Sequence, residues 1–381
     1  MGEGEYIKTW MSGEMISESQ ALELAVRVGY QGWGKVAPNP MVGCVIVDRH
    51  HRFLAAGAHL EVGGPHAERV ALSQIADPAA LEGAWVYVTL EPCAHHGRTP
   101  ACAKMLAELP IQGVTYLVED PNPLVSGQGA GILRAAGKQV VRRDDQASGA
   151  ELLAEIFLTN MRHRRPFVAL KVATTLDGGM ARRGKGGLWL TSASAREYVH
   201  YLRAGYDTIV VGANTVRLDD PQLNIRHPNF PGHRNRVLVL DPEAQAYRPD
   251  LALLACHHPE EVFWVVDEAT TFADKDSAQA IYARRTAVGG FALVPLLARL
   301  YERGVTALFL EGGSEVYGAF LNQGLVDRLY LLMSPQINLG PETLFWTQAM
   351  REQSPLRLNH LRSQFVGEDM LITGRISPLG R

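Results

Sequence analysis

His66 and Glu68 stand two residues apart in "PHAERVAL", and Cys93 and Cys102 bracket the stretch "AHHGRTPA" further along. Imidazole nitrogen and thiolate sulfur are donors that zinc prefers, and a catalytic zinc keeps one corner of its tetrahedron for water. His66, Cys93 and Cys102 supply three such donors. Glu68, near a helix start, can lean toward that water without ligating the metal. Zinc brings the pKa of water from about 15.7 toward about 7, and a neighbouring carboxylate shuttles the proton. The spacing predicts hydrolytic metal chemistry. A closed structural site is the alternative, with His95 or His96 as its fourth ligand. Cys44, inside "GCVIV", reads as a small buried hydrophobe, and Cys256 as a surface-loop residue.

These groups need a frame. Ser17 opens "SESQALELAVRVGYQG" with Gln20 three positions on, a capping box that predicts a helix. "MVGCVIVD" and "HRFLAAGAHL" read as paired strands, followed by a helix over about 66–75. A strand over 84–90, a helix over about 100–108 and a strand over 113–119 continue the alternation. A connecting helix spans about 145–162. From Phe167 the pattern restarts, with strands at 167–174, 207–211, 236–241, 261–266, 305–310 and 327–333, and helices at 193–203 and 293–302. Strands alternating with helices predict an α/β layer structure. The expected domains are 1–162 and 163–381, with about 1–16 as a mobile extension. Neither half carries a P-loop or a GxGxxG that opens a helix after a first strand.

Length and composition agree. The 381 residues exceed one typical core, and 46% hydrophobic with 20% charged residues describes a globular protein. A net charge of −3 gives no global attraction to nucleic acid or to an anionic membrane. Four cysteines are too few for a disulfide scaffold, so a reducing, cytoplasmic location is expected. No apolar run approaches the roughly 20 residues of a membrane span.

His-x-Glu followed by Pro-Cys-x-x-Cys is the signature of zinc deaminases. "HAE" and "EPC" match it, although eight residues separate Cys93 from Cys102. With "TLEPCAHHGRTPAC", "NPMVGCVIVD" and "EDPNPLVSGQG", the first half resembles the branch of the cytidine deaminase superfamily found in the bifunctional riboflavin biosynthesis deaminase/reductase family. "LKVATTLDGGMA", "LRAGYDTIVVGANTVRLDDPQLNIR" and "LFLEGGSEVYGAFL" resemble that family's reductase half. The resemblance covers about residues 17–375. It implies a cytidine-deaminase-like three-layer domain followed by a dihydrofolate-reductase-like domain. The implied reactions are hydrolytic deamination of 2,5-diamino-6-(5-phosphoribosylamino)pyrimidin-4(3H)-one and NADPH-dependent reduction of the ribosyl side chain to ribityl.

Residue by residue, the resemblance implies one zinc on His66, Cys93 and Cys102, with Glu68 as proton shuttle. Asn39 and His59 approach the pyrimidine or ribose, and Arg98 suits a phosphate. In the second half Lys171 interrupts the apolar strand "FVALKVA" and needs a carboxylate, a phosphate or an exposed edge; Asp177 is a candidate neighbour, with turn formation as its other role. Gly312, Gly313 and Ser314 can cradle a pyrophosphate through backbone N–H groups. Ala173, Trp189, Thr215 and Asp219 fall on NADP positions. Gly187, Arg203, Leu223, Arg226 and Glu311 fall on positions for the phosphorylated substrate. Gly187 and Pro242 stand where family members often carry serine. A dimer through the reductase half is the family expectation. The competing class, a nucleic-acid editing protein, needs a basic aromatic stripe that the balanced charge does not favour.

Overall fold

The computed structural model describes residues 10–94, 101–122, 126–182, 189–272, 278–287, 289–338, 343–351 and 355–378. The chain divides into two compact units, one ending at Arg164 and the other beginning at Arg165.

In the first unit the elements run α1 (Glu18–Gly29), β1 (Gly43–Val47), β2 (Phe53–Ala58), α2 (Ala67–Leu72), β3 (Trp85–Leu90), α3 (Cys102–Glu108), β4 (Gly113–Val118), α4 (Gln128–Ala135), β5 (Gln139–Arg142), α5 (Ser148–Leu153) and α6 (Glu155–His163). The strands form one sheet in the order β2-β1-β3-β4-β5. β1 is antiparallel to β2 and β3, while β3, β4 and β5 are parallel. The two-residue period of β1 sends Cys44 and Ile46 to one face and Val45 and Val47 to the other. The first pair packs with Ala67, Ala103, Leu106 and Leu133 of α2, α3 and α4. The second packs with Leu22 and Ala25 of α1 and with Ala150 of α5. Helices on both faces make the three layers anticipated from the alternation.

The capping box exists as read: the Ser17 hydroxyl accepts from Gln20 N–H at 3.3 Å, and the Gln20 side chain accepts from Ser17 N–H at 3.0 Å. Two expectations need correction. The connecting helix is two helices, interrupted at Ala154. Residues 10–16 are not a loose extension. Gly13 N–H donates to Phe53 O and Phe53 N–H to Glu14 O, and Ile16 is buried in the core, so this segment is bonded along β2.

The second unit runs β6 (Phe167–Thr175), β7 (Gly179–Arg182), α7 (Ala193–Ala204), β8 (Thr208–Gly212), α8 (Ala213–Asp219), β9 (Arg236–Leu240), α9 (Ala252–Cys256), β10 (Val262–Asp267), β11 (Gln279–Ala283), α10 (Leu293–Glu302), β12 (Ala307–Leu310), α11 (Ser314–Asn322), β13 (Arg328–Ser334), β14 (Thr343–Phe345), β15 (Leu356–Val366) and β16 (Asp369–Pro378). Nine strands among the described residues form a sheet in the order β11-β10-β9-β8-β12-β6-β13-β16-β15. It is parallel from β11 to β13, and β16 and β15 close it as an antiparallel hairpin. Cys256 ends α9 instead of lying in a loop. Among the described residues, no helix is long and apolar enough to cross a membrane.

Candidate active sites

Each unit carries a cleft lined by some of the anticipated residues. In the first, His66 is the N-cap residue of α2, which places Glu68 in the first helical turn. Gly57 lets that helix lie directly on β2, because a Cβ there would stand 2.5 Å from Ala71 N and 2.6 Å from Ala67 O. Cys93 follows β3, and Cys102 is the first residue of α3. The Cys102 N–H donates to Cys93 Sγ at 3.3 Å, tying the two together through the backbone.

His66 Nδ1 lies 3.5 Å from Cys93 Sγ and 3.3 Å from Cys102 Sγ. All three donor atoms fall within 4.8 Å of one another. A tetrahedral zinc with its usual bond lengths to sulfur and nitrogen sets such S···N edges at about 3.5 Å. The donors therefore fit that metal in type, number and spacing. The Cys93 thiol is pulled down to about 4, first by a hydrogen bond from Cys102 and, against its burial, by another from His66. Cys102 is pushed up by the same partnership and by burial. Glu68 is only 3% exposed. Burial lifts its carboxyl above the usual range.

The cleft is about 450 Å³ and is lined by Asn39, His59, His66, Glu68, Cys93 and others. His59 Nδ1 faces Pro65 O at 3.1 Å, and its Nε2 faces Asn39 Nδ2 at 3.1 Å. The carbonyl can only accept, so Nδ1 carries the proton and Nε2 accepts from the amide. Asn39 is thereby oriented by His59. Arg98, His95 and His96 lie outside the described residues.

One residue was overlooked. Buried Glu91, directly before Pro92-Cys93, accepts from Gly127 N–H at 3.0 Å and Ala130 N–H at 3.1 Å. It anchors the start of α4. Gly129 completes the junction, where a Cβ would stand 1.9 Å from Pro92 O. The signal was visible as an acid closing an apolar strand.

The second cleft, about 770 Å³, lies at the carboxyl ends of β8, β9 and β12. Ligands of open parallel sheets bind at such strand ends, where the strand order reverses. Thr215, Asp219, Glu311, Gly312, Gly313 and Ser314 line it. Gly313 is the N-cap of α11, so N–H groups at that end are presented to the cleft.

Lys171, Ala173, Arg203, Leu223 and Arg226 are not among its described lining residues. Glu311 joins several of them to it. Arg203 Nε donates to Glu311 Oε1 at 2.5 Å and Nη2 to Oε2 at 3.1 Å. Burial pushes Glu311 up, but Arg203 and Lys171 outweigh it and hold the carboxyl below its usual range. Burial in turn lowers the Lys171 ammonium, with Glu311 opposing. Glu311 is thus the carboxylate whose charge acts on Lys171. Asp177 accepts from Thr175 Oγ1 at 2.5 Å and Asn338 N–H at 3.1 Å, which is turn work. Ala173 is two residues along β6. Leu223 is buried with a left-handed φ of 54°. Arg226 is exposed, its Nη1 donating to Gln222 Oε1 at 2.8 Å. Trp189 is 74% exposed, with the Arg196 guanidinium 4.8 Å from its ring centre. Gly187 lies outside the described residues.

Two family descriptions match the chain: the cytidine and deoxycytidylate deaminase zinc-binding region over residues 15–118 and the RibD C-terminal domain over residues 166–372. The riboflavin biosynthesis protein RibD of Haemophilus influenzae is 35% identical over 383 residues, covering 95% of this chain and 97% of that one. That of Bacillus amyloliquefaciens is 32% identical over 361 residues, with 93% and 95% covered. Among solved structures, form 1 of Acinetobacter baumannii RibD superposes with a TM-score of 0.81 at 30% identity, covering 94% of this chain and 98% of that one. The Thermotoga maritima diaminohydroxyphosphoribosylaminopyrimidine deaminase/5-amino-6-(5-phosphoribosylamino)uracil reductase gives 0.78 at 30% identity, with 95% and 98% covered. Matched in order along both halves, the chain belongs to the RibD family, and it is a bifunctional zinc-dependent deaminase and NADPH-dependent reductase of riboflavin biosynthesis.

Proposed function

We propose that His66, Cys93 and Cys102 hold the zinc and that Glu68 is the proton-transfer group of the deaminase half. The carrying observation is the triad of donors at tetrahedral edge lengths beside a buried carboxylate that is not one of the clustered donors. Zinc supplies a nucleophilic water at neutral pH. Glu68, lifted by burial, would take one proton from the water and deliver it to the ring nitrogen, then take the second from the adduct's hydroxyl and deliver it to the amino group that leaves as ammonia. Asn39, held by His59, orients the pyrimidine, and Arg98 takes the phosphate. The substrate is 2,5-diamino-6-(5-phosphoribosylamino)pyrimidin-4(3H)-one, the compound named for the Thermotoga relative.

In the reductase half, Gly312, Gly313 and Ser314 cradle the pyrophosphate of NADPH, with Thr215, Asp219, Ala173 and Trp189 along the cofactor. NADPH supplies the hydride that converts ribosyl to ribityl. Lys171 is the proton-bearing group at the sugar, and Arg203, Leu223, Arg226, Glu311 and Gly187 hold the phosphorylated substrate. The domains divide near residue 162, the protein works in the reducing cytoplasm with its four cysteines free, and two copies pair through the reductase half.

The test is turnover of the diaminopyrimidine ribotide with and without NADPH. Ammonia release without NADPH, followed by NADPH oxidation that requires that release, is the expected result. NADPH oxidation independent of deamination defeats the proposed order of steps.

A further inference from the structure

The segment from Asp220 to Arg226 is unusual backbone held from several sides. Asp220 and Leu223 both adopt left-handed φ, 40° and 54°, which non-glycine residues avoid unless their surroundings impose it. Asp220 Oδ1 accepts from Ala252 N–H at 3.0 Å. His257 Nε2 meets Gln222 O at 3.1 Å, and Asn235 Nδ2 donates to Leu223 O at 3.1 Å. Arg203 Nη1 donates to Asn224 O at 2.8 Å. The last three bonds grip carbonyl oxygens. The grip on an amide comes from α7, where His200 Nδ1 accepts the Arg226 N–H at 3.2 Å.

We propose that His200 is a positioning residue of the reductase: its Nδ1 fixes the Arg226 backbone, and with it the 220–226 segment, in the conformation that receives the phosphorylated substrate. This rests on the reading that Arg203, Leu223 and Arg226 bind that substrate. His200 lies one helical turn before Arg203, so a single face of α7 holds both ends of the network: Arg203 on Glu311 and Asn224, His200 on Arg226. Accepting at Nδ1 requires the neutral ring with its proton on Nε2. Burial and the charges of Arg203 and Arg226 press the imidazole down to about 4, Glu311 opposing, so the acceptor persists at neutral pH.

His200→Leu removes the acceptor at similar bulk, and His200→Gln keeps an uncharged oxygen able to reach the same N–H. NADPH oxidation with 5-amino-6-(5-phosphoribosylamino)uracil is measured for both, with ribose 5-phosphate as competitive inhibitor. In His200→Leu the substrate KM and the inhibitor Ki rise together by about tenfold, as loss of one ordering hydrogen bond implies, while kcat and the KM for NADPH stay near wild type. His200→Gln restores the substrate KM. A loss confined to kcat, an equal rise in the NADPH KM, or a glutamine variant no better than leucine overturns the positioning role alone. If His200→Leu does not fold, the glutamine variant decides, because a raised substrate KM there is equally fatal. Wild-type enzyme that fails to oxidise NADPH with this uracil overturns the substrate reading beneath it.

Discussion

Two glutamates largely shielded from water, one in each cleft, are moved in opposite directions. Glu68 sits beside sulfur and imidazole donors, and burial raises its carboxyl. Glu311, its side chain 9% exposed, is also largely removed from water, yet Arg203 and Lys171 hold its carboxyl below the usual range. Burial alone favours the neutral acid, and a nearby cation reverses that. The first is left able to accept and release a proton. The second is a negative charge set beside two cations. The same side chain is thus favoured as the neutral acid in one half of the molecule and as a charged strut in the other.

Removing the metal breaks the comparison most sharply. Cys102→Ala deletes one donor, and the enzyme is expected to lose its zinc and all measurable deamination while still reducing the deaminated uracil. Metal content by mass spectrometry and the two separate assays check this. Loss of both activities would mean that the halves do not work independently. Glu68→Gln is the next step down: zinc stays bound, and deamination falls by about 10²–10⁴-fold, the usual worth of a proton shuttle. Deamination near the wild-type rate in that variant would remove Glu68 from the mechanism.

The first cleft was largely legible in the sequence because its donors lie on contiguous motifs, with His66 and Glu68 in one helical turn and Cys93 just beyond a strand. The second was legible only in pieces. Lys171 announced a missing counter-charge, but the nearby Asp177 proved to be a turn residue, and the partner Glu311 sits on a different strand end. No local pattern encodes a pairing made across a sheet by strand order. The β15–β16 hairpin went unread for a related reason. Leu361 and Phe365 are 61% and 73% exposed on an edge strand, so apolar positions there do not mark a core face. Residues 10–16 read as loose because their partners, His51 in the turn before β2 and Phe53 at its start, are ones that composition cannot pair with them.

Arg203→Met tests the strut. Side-chain exposure of 12% for Arg203 and 9% for Glu311 puts the pair out of water. Leaving one partner of such a pair unmatched costs about 3–5 kcal/mol, although the intact pair contributes far less. The expected result is a reductase kcat/KM lowered at least tenfold and a lower melting temperature, with deamination retained. The sign with pH follows. The depressed Glu311 carboxyl contributes stability above its unfolded pKa and loses it as pH falls through the folded value. Without Arg203 that folded value rises, so the variant weakens at a higher pH than wild type. The double variant Arg203→Met/Glu311→Gln regains stability but not activity. Unchanged melting in the single variant would show that Lys171 alone suffices.

The smallest expected effect sharpens the other side of the comparison, by asking whether Glu91 is a strut as Glu311 is. Its two oxygens accept from Gly127 and Ala130 N–H at 3.0 and 3.1 Å. Glu91→Gln keeps one acceptor oxygen and turns the other into a donor facing an N–H. One of the two backbone amides then loses its acceptor, at about 1–3 kcal/mol if it is the buried Ala130 N–H and less if it is that of exposed Gly127. Thermal unfolding of the first unit should fall by a matching few degrees, while zinc content and the reductase assay stay at wild-type values. Deamination should decline modestly, because Pro92 and Cys93 follow directly and α4 rests on them at Gly129. If Glu91→Gln instead loses zinc, the carboxylate holds the Cys93 loop itself and is as much a part of the metal site as the donors.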